Sequence, residues 1–341
     1  MTTVARSQRH GWLWCAAAAV LFGAATPATK LLVDHIRAVT LAGLLYLGAA
    51  LAVAPFVARD QRSTVAGAQR VRLLLAVVLG GGLAPVLLVL ALDRTPAGTV
   101  SLLLNLELVA TALVARIFLR EHIGRRGAVG VLVVVVGGIV LAGGNGAGLA
   151  FGALLVVGAC VSWGVDNAIT ASLDSYSPAR ITLAKGLVAG SVNVLLGLTL
   201  DGAPTWRLVP VALLIGAIGY GLSITMWITG ARLVGASRGQ VIFALAPFVG
   251  AALAWPVNGE ALTWALLAAF VLSLTGVVIV GSANHGHAHV HQTLVHTHPV
   301  DPGDPHHQAG AVEIVAGQQH RHLALAHLHE HLPDIHHRHV H

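Results

Sequence analysis

Charged side chains are scarce in this 341-residue chain: Asp, Glu, Lys and Arg make up 10% of it, whereas hydrophobic types make up 56%. An ordinary soluble domain carries about 25% charged residues, so the composition excludes a protein whose main solvent is water. Cysteine is limited to Cys15 and Cys160, both inside apolar runs. That placement excludes a disulfide framework and a cysteine metal centre.

Motifs that carry enzyme chemistry are also lacking. We find no nucleophile with an adjacent base, no phosphate-cradling glycine loop and no open metal motif, so we expect neither an enzyme nor a required cofactor. The formal charge of +6 comes from basic residues that lie in loops without interleaved aromatic residues. This arrangement argues against a nucleic-acid partner.

Long apolar runs are what the chain has in abundance. A helix needs about 20 apolar residues to cross the hydrocarbon core of a bilayer, and ten such runs recur between Gly11 and Gly281. Because nine runs follow the first, we expect no cleaved signal peptide. We number them spans 1 to 10: residues 11–32, 38–57, 73–92, 97–118, 127–143, 149–171, 181–200, 208–230, 236–256 and 262–281. The sequence therefore predicts an all-α integral membrane protein, with the lipid bilayer as its surroundings.

Arginine placement predicts how these spans are oriented. With the N-terminus in the cytoplasm, twelve arginines fall on the inner side, and only Arg37, Arg94 and Arg207 fall outside. This asymmetry follows the positive-inside rule. We expect a multi-pass protein of the inner membrane with both termini in the cytoplasm.

The two halves of the chain match each other at a shift of 139 to 141 residues. The segment FGAATPAT, residues 22–29, lies over WGVDNAIT, residues 163–170, and Glu121 of FLREHI meets Glu260. Each half holds five spans, an odd number, so the second copy must enter the membrane from the opposite side. Inverted repeats of this kind are typical of secondary transporters. We predict repeats at 11–143 and 149–282, followed by a tail at 283–341.

These features resemble the EamA-type members of the drug/metabolite transporter superfamily. The resemblance covers about residues 11–282. It rests on the small-residue-rich first helix of each repeat, with FG or WG before a polar residue, and on the glutamate that ends each short fourth helix, in REHIG and GEALT. It implies ten helices around a central cavity and transport of a small metabolite, without specifying which.

One position departs from the family pattern. The family usually has a proline midway along the fourth helix of each repeat, and only the second repeat keeps it, as Pro247. In our alignment of the halves, Leu108 lies opposite Pro247 and Glu107 lies beside Leu108.

Charged residues inside the spans are candidates for a solute or ion site, because a charge in hydrocarbon costs about 3 kcal/mol or more. Glu107 lies near the middle of span 4, next to a polar stripe that includes Asn105. It is our first candidate for a carboxylate that binds substrate or couples transport to protons. The alternative is a neutral glutamate bonded to a helix backbone.

Span 6 carries a second group of polar residues. Asp166 shares a helix face with Thr170 at the i, i+4 spacing, while Trp163 and Asn167 occupy the adjacent face. Lys185, in span 7, could pair with Asp166 or extend to the cytoplasmic surface, and we favour the second interpretation.

Span 1 carries Lys30, with Thr26 one helical turn before it. Lys30 matches a lysine often found at this place in the family, which makes it a candidate binding residue. Extension of its side chain to the membrane surface is the alternative. Glycines at 80–82 interrupt span 3, and close helix packing explains them without a gating role.

Histidine dominates the end of the chain, since 17 of the 20 histidines lie between His285 and His341. The composition predicts a disordered cytoplasmic tail. Neutral imidazoles bind zinc, nickel, cobalt or copper, and HxH spacing places alternate residues on one side of an extended chain. A solvated tail, a pH-sensitive lipid tether and a passive metal buffer are the alternatives. The candidate metal-binding residues are His285, His287, His289, His291, His327, His329, His331, His336, His337, His339 and His341.

Our leading hypothesis is a secondary transporter, monomeric or homodimeric, that moves a small-molecule solute by alternating access with ion or proton coupling. A second hypothesis is a transporter of divalent transition metals whose tail gathers cytoplasmic cations. A third is a membrane-bound metal or pH sensor that moves no solute.

Overall fold

The computed structural model describes residues 3–57, 67–118, 124–143, 147–171, 173, 176–234, 239 and 242–282, together with five strands in the tail. The chain divides into two compact units, Met1–Ala283 and Asn284–His341. Elements of the first unit are helical, and those of the second are strands.

Helices of the first unit follow the apolar runs of the sequence. Among the described residues, three π-helices interrupt the α-helices within spans 3, 7 and 8, at Val77–Leu83, Lys185–Ala189 and Ala217–Leu222. The α-helices are Thr3–Lys30, Ala38–Val57, Gly67–Ala76, Ala84–Arg94, Ala97–Leu103, Leu106–Phe118, Arg125–Gly143, Ala147–Ala171, Pro178–Ala184, Gly190–Asp201, Val209–Gly216, Ser223–Val234, Ala246–Asn258 and Trp264–Gly281, with a short 3-10 helix at Trp206–Leu208.

Nine helices within the described ranges are long and apolar enough to cross a bilayer, and they correspond to spans 1 to 8 and span 10. Span 9, predicted at 236–256, is described only in part, and helix Ala246–Asn258 occupies its second half. The predicted all-helical membrane bundle is confirmed.

Each repeat packs its first span into the other repeat. Span 1 contacts spans 8 and 9, and its counterpart, span 6, contacts spans 3 and 4. Spans 2 and 7 pack against each other, as do spans 5 and 10. These contacts between repeats are therefore repeated by the equivalent helices, so the two halves build one shared core.

Glycines allow the close approach of spans 5 and 10. A Cβ atom on Gly130 would lie 2.8 Å from the carbonyl oxygen of Gly276, and one on Gly276 would lie 2.7 Å from the carbonyl oxygen of Gly130. In hydrocarbon, such small-residue contacts let helix backbones gain van der Waals packing. The glycines thus set the spacing of this pair.

Both repeats interrupt their third and fourth spans at equivalent places. The π-helix Val77–Leu83 of span 3 corresponds to Ala217–Leu222 of span 8 at a shift of 140 residues. Span 4 breaks at the turn residues 104–105, and span 9 breaks at 244–245, at the same shift. The interruptions are therefore a shared feature of the two repeats.

The break in the fourth span corrects our alignment by one residue. The amide of Leu108 donates to Asn105 O at 3.1 Å, and the amide of Phe248 donates to Leu245 O at 3.0 Å. These equivalent turns pair Leu108 with Phe248, so Glu107 lies opposite Pro247. Glu107 thus occupies the position at which the second repeat has the family's proline.

Glu260, from the motif GEALT, joins the two repeats. Its carboxylate accepts hydrogen bonds from the amides of Ala97 and Gly98 at the start of span 4, the second at 2.8 Å. First-turn amides of a helix lack intrahelical acceptors, and a carboxylate there also complements the helix dipole. The counterpart Glu121 lies outside the described residues.

The disorder of the tail stays a prediction from its composition. Its described segments are the strands β1 (His285–His291), β2 (Leu294–Thr297), β3 (Val312–Ala316), β4 (Gln319–His322) and β5 (Leu325–His331). β1 pairs with β5, and β4 lies between β2 and β3, all antiparallel.

Adding a methyl group at Gly130 should test the packing of spans 5 and 10. We expect Gly130→Ala to destabilise the bundle by about 1–3 kcal/mol, because the backbone of the facing helix must move. Thermal unfolding of the purified protein in detergent would measure this. Gly143→Ala, at the end of the same helix with no atom within 4 Å of the added Cβ, is the control. Equal melting temperatures for the two variants would contradict the assignment.

Candidate functional site

Asp166 of span 6 forms a buried ion pair with Lys185 of span 7. The Lys185 Nζ lies 2.6 Å from Asp166 Oδ2, and the two side chains are 14% and 4% exposed. Thr170 Oγ1 donates to the other carboxylate oxygen at 3.1 Å. We favoured extension of Lys185 to the membrane surface, and the structure shows the pairing instead. Removing two charges from water is unfavourable unless each finds a partner, and here each does.

Gly80 of the span 3 π-helix makes room for this ion pair. A Cβ atom on Gly80 would lie 2.0 Å from Asp166 Oδ2, so no larger residue fits there without moving the carboxylate. The Gly80 carbonyl accepts hydrogen bonds from Tyr46 Oη at 2.6 Å and from Trp163 Nε1 at 3.1 Å. Gly80 therefore does more than allow close helix packing, because its carbonyl bonds span 3 to span 2 and to span 6.

Glu107 and Asn167 form a second polar pair next to the first. Asn167 Nδ2 donates to Glu107 Oε1 at 2.9 Å, joining span 4 to span 6. Glu107 is half-buried and Asn167 is exposed, whereas the neighbouring Asp166 is buried. Among the described residues, Glu107 forms no ion pair. The cluster of Asp166, Lys185 and Glu107 therefore carries a formal charge of −1.

The equivalent place in the other repeat keeps the packing and lacks the charges. At the 141-residue shift of the first helices, Ala25 is the counterpart of Asp166, and a Cβ on Gly219 would lie 2.5 Å from the Ala25 Cβ. At a shift of 139 residues, Tyr46 corresponds to Lys185. The ion pair therefore occurs between spans 6 and 7, whereas the counterpart residues in spans 1 and 2 are neutral.

Aromatic rings pack together where spans 1, 2 and 8 carry these neutral counterparts. Tyr46 and Tyr220 have ring centroids 5.7 Å apart, and Phe22 meets Tyr220 edge to face at 5.6 Å. Phe243 continues the series, at 5.2 Å from Phe22 and 5.8 Å from Trp227. Tyr46 belongs to both groups, because its hydroxyl bonds Gly80 and its ring contacts Tyr220.

The remaining predicted site residues of the bundle do not join the cluster by hydrogen bonds within the described ranges. Lys30 Nζ donates to the carbonyl oxygen of Leu92, so it bonds span 3. Asn105 is buried and bonds Leu102 O at 3.0 Å, within its own helix break. Thr26 is buried in span 1. The hydrogen bonds of Lys30 and Asn105 therefore go to backbone carbonyls rather than to Asp166 or Glu107.

A cavity of about 370 Å³ lies away from the cluster, at the end of the bundle formed by loop 31–37. Thr205 Oγ1 donates to His35 O at 3.1 Å, which joins two loops at this end. The cavity is lined by Val33, Asp34, His35, Ile36, Arg37, Thr40, Asp93, Asp201, Gly202, Ala203 and Pro204. None of these is a predicted site residue.

The metal-binding prediction falls on the tail. Residues 336–341, with His336, His337, His339 and His341, lie outside the described residues, and the other candidates lie in β1 and β5. In the part of the chain searched for such sites, no group of three or more His, Cys, Asp or Glu residues could hold a metal ion.

Sequence reasoning missed Tyr46 and the specific role of Gly80. One signal could have indicated Tyr46: tyrosines of membrane proteins concentrate at the interfaces, and this one lies near the middle of span 2. Gly80 carries no comparable signal, because glycines in membrane helices most often serve packing alone.

Comparisons with known proteins agree with this fold. A protein from Methanothermobacter thermautotrophicus, described as an uncharacterized transporter, is 27% identical over 218 residues, which are 61% of this chain and 63% of the relative. The chain therefore spans under two thirds of that relative's length. A crystal structure with 20% sequence identity covers 80% of this chain and 98% of its own, with a TM-score of 0.56, and supports the fold alone.

The model of the EamA-like transporter family matches twice, at residues 9–143 and 150–282. The two matches cover the bundle and leave out the tail. Family and relative both point to a transporter rather than an enzyme. The chain is a multi-pass integral membrane protein and belongs to the EamA-like transporter family.

Proposed function

We propose that this protein is a secondary transporter that moves a small metabolite across the inner membrane by alternating access, coupled to protons or another ion. One observation carries the proposal: the ion pair of Lys185 and Asp166 lies beside Glu107 and Asn167 within the helix bundle. Ionisable groups inside a membrane are expensive and typically mark solute or proton pathways.

The two repeats supply a means of alternating access. Equivalent interruptions in spans 3 and 8, and in spans 4 and 9, provide places where helices can bend. If the repeats exchange conformations, a site between them opens first to one side and then to the other. The charged cluster contacts span 3 at Gly80 and includes Glu107 of span 4, so bending of either span would change the distances within the cluster.

Asp166 and Glu107 have different roles in this proposal. Asp166 is neutralised by Lys185, and a solute or proton that binds Asp166 must compete with that lysine. Glu107 has only a neutral amide partner among the described residues. Its carboxylate can therefore bind a proton or a cationic group without displacing another cation. Aromatic rings at Tyr46 and Tyr220 offer an apolar surface for the rest of a solute.

The arginine distribution supports an orientation with both termini in the cytoplasm. The cavity at loop 31–37 then faces outward, and the cluster lies in the inner half of the membrane. Flux of candidate metabolites into or out of proteoliposomes under an imposed pH gradient tests the proposal. A panel of amino acids, amines and organic acids that shows no protein-dependent flux would contradict it.

Removing the ion pair in steps should separate structure from transport. Asp166→Asn and Lys185→Met each leave one buried charge unpaired, so each should lower stability, by about 3–5 kcal/mol. The double variant should regain most of that stability and still lack transport, because the carboxylate is gone. Thermal unfolding and proteoliposome flux measure the two effects. A double variant that recovers both would show that the pair serves only stability.

Neutralising Glu107 should abolish coupling without loss of fold. Glu107→Gln keeps an oxygen that can accept from Asn167 Nδ2 and removes the charge. We expect flux driven by a pH gradient to fall about tenfold or more, equivalent to about 1.4 kcal/mol. Asn167→Ala is the control, since it removes the hydrogen bond and keeps the carboxylate. Unchanged flux and pH dependence in Glu107→Gln would exclude this role.

Filling the space at Gly80 should disturb the same site indirectly. Gly80→Ala places a Cβ against the Asp166 carboxylate, which must then move relative to Lys185, and we expect reduced flux per molecule. Gly82→Ala is the matched control two residues along the π-helix, where the nearest atom would be 3.7 Å from the Cβ. Flux normalised to reconstituted protein measures both. Equal flux from the two variants would contradict the role of Gly80.

A further inference from the structure

Glu260 and Asn258 join the end of span 9 to the first repeat. The Glu260 carboxylate accepts hydrogen bonds from the amides of Ala97 and Gly98 in span 4. Asn258 Nδ2 donates to the carbonyl oxygen of Pro27 in span 1 at 3.1 Å. Span 9 belongs to the second repeat, whereas spans 1 and 4 belong to the first. These bonds therefore hold the two repeats together at one end of the bundle.

The helix segments joined there are the halves of spans 4 and 9 that lie beyond the breaks at 104–105 and 244–245. These outer segments, Ala97–Leu103 and Ala246–Asn258, pack against each other. The name follows from our proposed orientation, which places this end of the bundle outside. Because a break separates each outer segment from the rest of its span, the segments can move apart without bending a continuous helix.

Small residues fill the contact between the outer segments. A Cβ atom on Gly98 would lie 3.5 Å from the Ala254 Cβ, and one on Gly250 would lie 2.6 Å from Ser101 Oγ. Ser101 and Ala254 are each 1% exposed. A contact this close lets neither water nor a solute pass between the segments while they remain together.

This closed contact also leaves polar atoms without partners. Ser101 Oγ and Asn258 Oδ1 are buried and accept or donate no hydrogen bond within the part of the chain that the structure describes. A buried polar atom without a partner is unfavourable, and water would satisfy it once the segments separate. Glu260 opposes that separation, because both of its carboxylate oxygens bond span 4. The contact thus combines terms that favour opening with one that favours closing.

Gly259 provides the turn that precedes Glu260. The helix Ala246–Asn258 ends at Gly259, whose φ is +68°. This left-handed conformation is common for glycine directly after a helix, and it turns the chain away from the helix axis. The turn thereby allows Glu260 to reach the first amides of span 4.

We propose that Glu260 holds closed an outer gate formed by the outer segments of spans 4 and 9. Its bonds to span 4 close the outer side of the transport pathway, and they break when that side opens. The inference rests on the alternating access of the proposed function. In that function Asp166 and Glu107 bind solute or ion, whereas Glu260 controls access to them.

The labelling rate of a cysteine in the contact measures how well the gate is held. Ser101→Cys places the thiol there, in a background with Cys15→Ala and Cys160→Ala. In the full-length protein in detergent, we expect Glu260→Gln to speed maleimide labelling by about tenfold or more, since Gln keeps one acceptor oxygen and loses the charge. Asp34→Asn, which removes an exposed carboxylate at the same end, is the matched control and should leave the rate unchanged.

A second reporter separates opening of the gate from general loosening of the bundle. Ser273 of span 10 is also 1% exposed, and it lies at the contact with Gly137 of span 5. Labelling of Ser273→Cys should not change in the Glu260→Gln variant. Equal acceleration at both cysteines would show loosening of the whole bundle and overturn the proposal. An unchanged rate at position 101 would overturn it as well.

A disulfide between the outer segments tests whether the gate must open during transport. Gly98→Cys with Ala254→Cys joins positions whose Cβ atoms lie 3.5 Å apart, which suits a disulfide. We expect oxidation to abolish flux in proteoliposomes and a reductant to restore it, so the reduced protein is the control. Undiminished flux through the oxidised protein would overturn the gate. Absence of flux from the parent protein would contradict the proposed function, and the labelling rates would still decide whether Glu260 holds the segments together.

Discussion

Hydrocarbon offers no hydrogen bonds, and this constraint governs the membrane bundle: every backbone group must find its partner within the protein. Continuous α-helices meet the requirement alone, and in the π-helix of span 3 side chains of neighbouring spans add further donors to the backbone carbonyls. Tyr46 and Trp163 supply them to Gly80, and Asn193 Nδ2 supplies one to Gly82 at 3.2 Å. In span 8 hydroxyls donate to carbonyls of the π-helix, from Ser223 to Gly219 and from Thr225 to Gly221. Polar side chains therefore accompany both interruptions.

The two repeats show how a common packing plan can acquire an asymmetric chemistry. Equivalent helices keep equivalent contacts, and in each a glycine of the interrupted third span approaches the first span of the other repeat, Gly80 at Asp166 and Gly219 at Ala25. Only one repeat places a carboxylate at that contact and a lysine beside it. Because a buried ion pair is weak evidence for stability, our proposed function assigns these charges to binding rather than to folding. The equivalent contact in the other repeat has aromatic neighbours, Phe22 and Tyr220, instead of charged ones.

Much of the bundle could be predicted from the sequence. Apolar run length locates the helices, and the internal match indicates two repeats, because both are patterns along the chain. The candidates Asp166, Trp163, Asn167 and Glu107 were also identifiable, since polar residues in hydrocarbon are rare. Lys30, Thr26 and Asn105 satisfied the same criterion and share no hydrogen bond with the cluster among the described residues, because rarity in hydrocarbon does not say which side chains bond one another.

The sequence by itself determined that this chain is a duplicated helical membrane protein with a histidine-rich tail, since hydropathy, repetition and composition are local or periodic properties. Tertiary structure alone decided that Lys185 pairs with Asp166, that Gly80 joins spans 2, 3 and 6, and that Glu260 caps the start of span 4. These contacts join residues 19 to 162 positions apart. The helix faces that meet depend on how whole helices cross, and the interruptions in spans 3 and 4 shift those faces in a way that no periodicity in the sequence records.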